Sequence, residues 1–517
     1  MEKALTLRQR ASGVLLHPTS LPGPHGIGDL GPEAFRFAEV LAACGQTWWQ
    51  MLPISPIGAG NSPYASPSAF AGNPLLLSLE RLREDGLLEA SDLRGGRGLR
   101  QGQVNYPAVA RFKEARLRKA FAAFEARGGE QDPAFAAFCA EQAFWLPDYA
   151  LFCALKETQQ GAAWVDWLPE LRSRRPEALE RACRELAGAI AYHRFLQFEF
   201  DRQWKALRRH CAALGVGLIG DIPIFVAHDS SDVWARPELW LLGADGKPEV
   251  VAGVPPDYFS VLGQLWGNPL YRWDKHKEEG YSWWLDRFRG VFERFSAVRI
   301  DHFIGFQNYW EIPGGAQDAR SGRWMPGPSH GFFEKVQSAF GAPEIIAEDL
   351  GVVTPEVAAL RDRFDFPGMR LVQFSFSAWD EAMQPHRYPR RCVVYTGTHD
   401  NDTSVGWFSD PGGRASTRTP EQIQVERDNA LRYMGGTDGR EIHWDMIRQA
   451  LKCPADTVII PMQDLLGLDS GSRMNMPGTP TGNWQWRMLP GQWGPEVAGR
   501  LSLMTGAYDR SPGKWTT

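Results

Sequence analysis

A (β/α)8 barrel enlarged by mainly helical insertions is the fold this sequence predicts, and three observations predict it. Eight short apolar runs, bounded by Gly, Pro or a polar residue, are spread along the 517 residues. Most are continuously apolar rather than alternating, the pattern of strands covered on both faces. Helical patterns lie between them, and the shortest intervals approach the minimum for a parallel strand–helix repeat. A doubly wound three-layer sheet is the competing architecture, but eight strands with large insertions fit the barrel better.

In chain order the runs are SGVLLHP (12–18), TWWQMLP (47–53), VGLIGDIPI (216–224), AVRIDHF (297–303), EIIAEDL (344–350), RLVQFSF (370–376), CVVYTGT (392–398) and TVIIPMQ (457–463). PEAFRFAEVLAACG (32–45) is punctuated as a helix, with Pro at its start and Gly at its end. The longest interval separates the second and third runs. Residues from about 78 to 200 read there as a mostly helical insertion subdomain, rich in Ala, Arg, Glu and Leu, as in RFKEARLRKAFAAFEARGG. After the eighth run, too few residues remain for a C-terminal β-sandwich, so 1–517 reads as a single barrel domain with insertions.

Composition narrows the class. The hydrophobic fraction of 43% and charged fraction of 23% argue against intrinsic disorder. A net charge of −5, with no basic tail or charge block, argues against nucleic-acid or polybasic membrane binding. The start, MEKALTLRQRASGVLLHP, lacks a signal-peptide pattern, and no apolar run reaches membrane-spanning length. Seven scattered cysteines without C-x-x-C read as reduced and structural. The expectation is a cytoplasmic protein. Its 21 Trp against 12 Tyr point to flat apolar platforms, although large cores use tryptophan too.

Barrel chemistry sits at the C-terminal strand ends, so the polar residues ending the runs are the informative ones. Asp221, Asp301, Glu348 and the pair His399–Asp400 end four different runs. Alternation along AVRIDHF sends Val298 and Ile300 toward the helices and Arg299 and Asp301 into the barrel. A cation two residues before a carboxylate favours its ionised form, which suits a nucleophile. The same rule turns Glu348 inward and Asp349 away. The bland alternatives are helix caps and structural ion pairs; four acids on one rim weigh against them.

Two carboxylates flanking a bond, with a third acid nearby, is the layout of glycoside chemistry. Phosphoryl transfer, zinc hydrolysis and esterase chemistry each lack their motif: there is no G-x-x-x-x-G-K-[ST], no H-E-x-x-H and no G-x-S-x-G after a strand. Loops 58–74, 253–273 and 482–488 carry aromatics beside Asn, Gln and Asp, which suits sugar rings with apolar faces and polar edges. Any single tryptophan there is better read as a loop anchor.

These residues also carry a resemblance. GVLLHPTSLPGPHGIGDLG, GNSPYASPSAFAGNP, GDIPIFVAHDSSDVW, GVPPDYFS with GQLWGNPLY, AVRIDHFIGF, IIAEDLG, YTGTHDND and GNWQWRM resemble the 4-α-glucanotransferases of glycoside hydrolase family 77, over nearly the whole chain. The resemblance implies a retaining transfer of α-1,4-glucan segments to the 4-hydroxyl of an acceptor, extending to cyclisation of long glucans. It implies Asp301 as nucleophile, Glu348 as general acid/base and Asp400 as transition-state stabiliser. Arg299 would partner the nucleophile, and His302 and His399 would contact the reacting glucose. Asp221, Tyr64, Ser62, Gln264, Trp266 and Asn475 fall in groove-lining motifs. The 253–273 loop, with Tyr258 and Phe259, is similar to the family's mobile lid, within an insertion spanning about 226–295. No metal or other cofactor is implied. The partners implied are maltooligosaccharides, amylose or other α-1,4-glucans, with a monomer or weak homodimer. An α-glucan hydrolase, a non-catalytic glucan-binding protein and a metal-dependent phosphosugar lyase are the alternatives. Intact acids weigh against the second, and Arg and aromatics in place of Lys or His ligands weigh against the third.

Overall fold

In the computed structural model the described residues are 5–96, 99, 101–256, 261–351, 353–377, 383–412, 418–436 and 438–511. Eight parallel strands form one sheet: β1 (Ala11–Leu15), β2 (Trp48–Gln50), β3 (Gly217–Pro223), β4 (Ala297–Asp301), β5 (Ile345–Ala347), β6 (Gly368–Leu371), β7 (Cys392–Tyr395) and β8 (Thr457–Pro461). Each strand pairs with its sequence neighbours except across β5 and β6, and β1 also pairs with β8. The seam between β5 and β6 is drawn in by Ala347 N–H donating to Pro367 O at 2.9 Å. Asp349 supports the seam from its side chain, accepting from Met369 N–H at 2.7 Å and from Arg361 at 2.5 Å. This is the (β/α)8 barrel, with a strand overlapping each of the eight runs.

The strands are buried because their residues are apolar on both faces; Val14, Val298, Ile300, Val393 and Ile459 are inaccessible to solvent. β1 and β2 approach so closely that a Cβ on Gly13 would sit 2.2 Å from Trp48 O. Tryptophan is mainly core here. Trp48, Trp49, Trp164, Trp204, Trp234, Trp240 and Trp284 are among the largest fully buried side chains, whereas Trp266 and Trp324 are exposed. The loop aromatic Tyr271 is a core anchor as well, 1% exposed and donating to Ile224 O at 2.7 Å.

The sixth run behaves differently from its reading at 370–376. Its strand begins at Gly368 and ends at Leu371, and Val372–Phe376 winds into a 3-10 turn. Val372 and Phe376 are buried in either conformation, so a continuous apolar run does not separate strand from buried turn.

Helices Tyr106–Ala126, Pro133–Glu141, Leu146–Thr158, Pro176–Glu185 and Ala187–Ala213 fill the interval between β2 and β3. A four-stranded antiparallel sheet, which the sequence reading did not foresee, stands beside the barrel. Its strands are Gln264–Pro269, Val250–Val254, Asn308–Pro313 and Arg323–Pro326 in spatial order. Two of them lie within 226–295 and two follow β4. Ala252 and Tyr309 turn one face toward the barrel core, and Trp266 projects near the barrel mouth.

Candidate active site

Register builds the first part of the site. Asp221 on β3 pairs directly with Arg299 on β4, so their side chains emerge side by side on the inner face. Arg299 Nη1 donates to Asp221 Oδ2 at 2.6 Å, and Nη2 donates to Asp301 Oδ1 at 2.8 Å. The guanidinium is 4% exposed and Asp221 is fully buried, while Asp301 is 29% exposed and open to the mouth. One planar cation thus holds two carboxylates, a task suited to the guanidinium fork. Burial raises the Asp221 carboxyl, and Arg299 opposes that rise.

β4 stops because His302 adopts the left-handed conformation, φ 54° and ψ 50°, uncommon for a residue with a side chain. The turn aims His302 N–H at Glu348 Oε2, 2.7 Å away. Leu350 N–H occupies the other oxygen, Oε1, at 3.0 Å. Glu348 follows β5 directly, one step beyond the paired residues Ile300 and Ala347, which brings it alongside Asp301. Burial first, and the Asp301 charge second among the raising influences, push the Glu348 carboxyl up to about 7, against Arg299. A carboxyl with that affinity is about half protonated at neutral pH, so it can both give and take a proton there.

The loop after β7 contributes His399 and Asp400. Asn401 Oδ1 accepts from Thr398 N–H and Oγ1, both at 2.8 Å, and this tight turn presents the two preceding side chains to the mouth. Asn475 Nδ2 donates to Asp400 Oδ1 at 2.6 Å, and Arg473 Nη2 donates to Asp400 O at 2.5 Å. Tyr64 joins this half of the site to the other: its hydroxyl is 2.7 Å from Asp221 Oδ2 and 2.9 Å from His399 Nε2. Its ring stacks on His399 at 5.3 Å, with Trp484 tilted against both. Burial keeps His399 below the usual imidazole range, against the Asp400 charge.

Asp221, Tyr64, Arg299, Asp301, His302, Glu348, His399, Asp400 and Asn475 are therefore brought together. Ser62 plays a supporting part, its Oγ accepting from Tyr64 N–H at 3.2 Å and capping the turn Pro63–Ala65. Trp266 stands edge-on to the His302 ring at 4.8 Å, and its Nε1 donates to Gln264 Oε1 at 3.1 Å. Burial lowers His302 to about 4. Tyr258 and Phe259 lie outside the described residues. Asp349 faces away from Glu348, into its bonds with Met369 and Arg361. The sequence reading missed Arg473, which donates to Asp400 O, Phe225, whose ring tilts against His302 at 6.4 Å, and His17. His17 ends the first apolar run and is buried, with its pKa lowered to about 3 by burial and by the nearby His399. A polar residue closing an apolar run was the signal available for it.

Three acids from three strand ends, one favoured as a proton carrier and one gripped by an arginine, place this barrel in the class of enzymes that act on glycosidic bonds. The glycoside hydrolase family 77 profile, described as 4-alpha-glucanotransferase, matches residues 16–491. The 4-alpha-glucanotransferase of Thermus thermophilus is 48% identical over 97% of this chain and 99% of its own. That of Synechocystis is 46% identical over 98% and 99% respectively. The amylomaltase of Streptococcus agalactiae, solved in complex with acarbose, superposes with a TM-score of 0.92 at 37% identity, covering 97% of this chain and all of that one. The chain belongs to the 4-alpha-glucanotransferase family, glycoside hydrolase family 77. It is a hexosyltransferase of the amylomaltase kind.

Proposed function

We propose that the protein disproportionates α-1,4-glucans by a retaining double displacement, with Asp301 as nucleophile, Glu348 as acid/base and Asp400 as stabiliser. The observation that carries this reading is the contrast between the two neighbouring carboxyls: Glu348 raised to about 7, Asp301 ion-paired to Arg299. In the first step an Asp301 oxygen attacks the anomeric carbon as the glycosidic bond breaks, and the Glu348 proton goes to the departing 4-oxygen. The product is a β-glycosyl-enzyme and a Glu348 carboxylate. In the second step the carboxylate takes the proton of an acceptor 4-hydroxyl, whose oxygen displaces Asp301 from the anomeric carbon. Asp400, oriented by Asn475, would hold ring hydroxyls as the sugar flattens, and His302 and His399 would contact the same glucose.

The same reading takes 1–517 as one catalytic unit, 78–200 as its insertion subdomain and 226–295 as the lid-bearing insertion. Gln264 and Trp266 would line the groove beside His302, where closure excludes water and favours acceptor sugars. Maltooligosaccharides and amylose are the substrates, and cyclisation of long chains would follow from an acceptor on the donor's own end. Incubation with maltotriose alone tests the proposal. Glucose appearing with maltotetraose and longer chains, without a rise in reducing ends, is the expected result; glucose and maltose with rising reducing ends would make the protein a hydrolase. Acarbose should inhibit either activity by occupying the same acids.

A further inference from the structure

Some distance along the loop that follows β1, a second polar cluster lies apart from the catalytic acids. His25, Asp29 and Glu80 each offer one ligand atom, and these atoms lie within 4.8 Å of one another. Among the described residues this is the one grouping of three such side chains close enough to share a metal ion. The three come from two places in the chain: His25 and Asp29 from the β1–helix connection, and Glu80 from the first turn of helix Leu79–Glu84. His25 is 1% exposed, and its ring is stacked on Phe112 at 5.5 Å.

What points to a ligand is the state of His25. Its Nδ1 is buried, lacks a hydrogen-bond partner and faces Glu80 Oε1 at 3.6 Å, beyond hydrogen-bond distance. A buried imidazole nitrogen left in that state is unfavourable, and two nitrogen or oxygen ligands of one zinc ion, each about 2.0–2.2 Å from it, are separated by about this distance. A Cβ on Gly31 would lie 2.5 Å from Ser78 Oγ and 2.8 Å from Asp29 Oδ1, so glycine is what lets the backbone approach these oxygens, and its N–H donates to Asp29 Oδ1 at 3.1 Å. Ser78 Oγ caps the helix, accepting from Arg81 N–H at 3.4 Å, and donates to Glu80 Oε2 at 3.2 Å, which holds that carboxylate toward His25.

Lys113 is the nearest cation, fully buried, donating to Asp29 Oδ2 at 3.0 Å and to the carbonyls of Leu75 and Leu77 at 2.8 Å. Those three bonds use all its protons. We propose that His25 Nδ1, Asp29 and Glu80 bind one divalent transition-metal ion, Zn2+ by the chemistry of an N/O set, which staples the β1 loop to helix Leu79–Glu84. The site is structural and separate from the glucan chemistry, which proceeds without it.

Chelator-stripped protein, freed of chelator and titrated with Co2+, tests this. One Co2+ per chain with visible d–d bands, displaced by Zn2+ and accompanied by a higher Tm, is expected. Glu80→Gln and His25→Phe, the latter keeping a ring against Phe112, should abolish stoichiometric uptake while leaving transfer from maltotriose unchanged. X-ray absorption of the zinc-loaded wild type needs no variant to fold, and should show one imidazole nitrogen and oxygen neighbours without sulfur. Absence of uptake by the wild type, uptake undiminished in either folded variant, or a sulfur shell overturns the proposal.

Discussion

Arg299 lies 2.8 Å from Asp301, two residues further along the same strand, and the same guanidinium is 2.6 Å from Asp221 on the neighbouring strand. Removing it leaves two carboxylates facing one another at the barrel mouth, one of them fully buried. Arg299→Met should lower stability by about 3–5 kcal/mol, the range for breaking a buried ion pair from one side. Arg299→Lys keeps the charge and cannot bridge both acids, so it should fall between. Urea unfolding at pH 7 measures both; a loss below about 1 kcal/mol for the methionine variant would show that the pairs do not support the fold.

On the proposed mechanism Glu348 sets a pH limit. Burial raises its carboxyl from the usual 4.5 to about 7, so the proton required by a departing glucan is present below that pH and lost above it. The glycosylation step, read as kcat/KM for the donor, should be level below about 7 and fall tenfold per pH unit above. A glucosyl fluoride, whose leaving group needs no proton, should lack this fall and should still glycosylate Asp301 in Glu348→Gln, with a burst of fluoride and slow transfer afterwards.

The same shift has a stability consequence. A raised carboxyl binds a proton in the folded state that the unfolded chain has already released, so its influence lowers stability as pH rises between 4.5 and about 7. Glu348→Gln should remove that slope and be more stable than the wild type at pH 8, by on the order of 1–3 kcal/mol. Equal stabilities at pH 8 would place the proton elsewhere.

Tyr64 has one hydroxyl proton and two partners. Given to Asp221, it requires His399 to donate from Nε2, which fixes the imidazole tautomer. Nitrogen-15 shifts of His399 should report an Nε2–H ring in the wild type. Tyr64→Phe should release that preference and destabilise the protein by about 1–3 kcal/mol, because buried polar atoms lose their partner.

Trp266 covers the His302 edge from the side sheet. If it keeps water from the glycosyl-enzyme, Trp266→Ala should raise the ratio of reducing ends formed to glucosyl units transferred. Product analysis with maltotriose reads the ratio directly, and an unchanged value would remove Trp266 from that role.

Arg510 secures the chain just after helix Pro495–Ala507. It is fully buried and donates to the carbonyls of Ala11, Leu451, Cys453, Ala455 and Asp456, tying β1 to the approach of β8. Arg510→Met leaves several buried carbonyls unpaired and should cost about 3 kcal/mol or more in chemical unfolding. Transfer activity per folded molecule should be unchanged.

The barrel was legible because each strand needs apolar residues on both faces, and eight such runs stand out against polar connections. The acids were legible because strand alternation fixes which side a residue faces, and it turned Asp301 and Glu348 inward and Asp349 away. The side sheet was not legible. Its strands are short, two precede β4 and two follow it, and Gly253, Gly267, Pro269 and Pro326 interrupt the pattern.

By itself the sequence determined which residues could carry charge at the strand ends, since that depends only on local periodicity. The tertiary structure decided how those charges meet. Asp221 and Arg299 are 78 positions apart and become partners through the register of β3 on β4. The proton affinity of Glu348 comes from burial and from the Asp301 charge, neither of which a string of letters contains. His25 and Glu80 likewise became neighbours only when a helix start packed against a loop. Alternation is a property of one chain segment, whereas distance and dielectric surroundings belong to the packed whole.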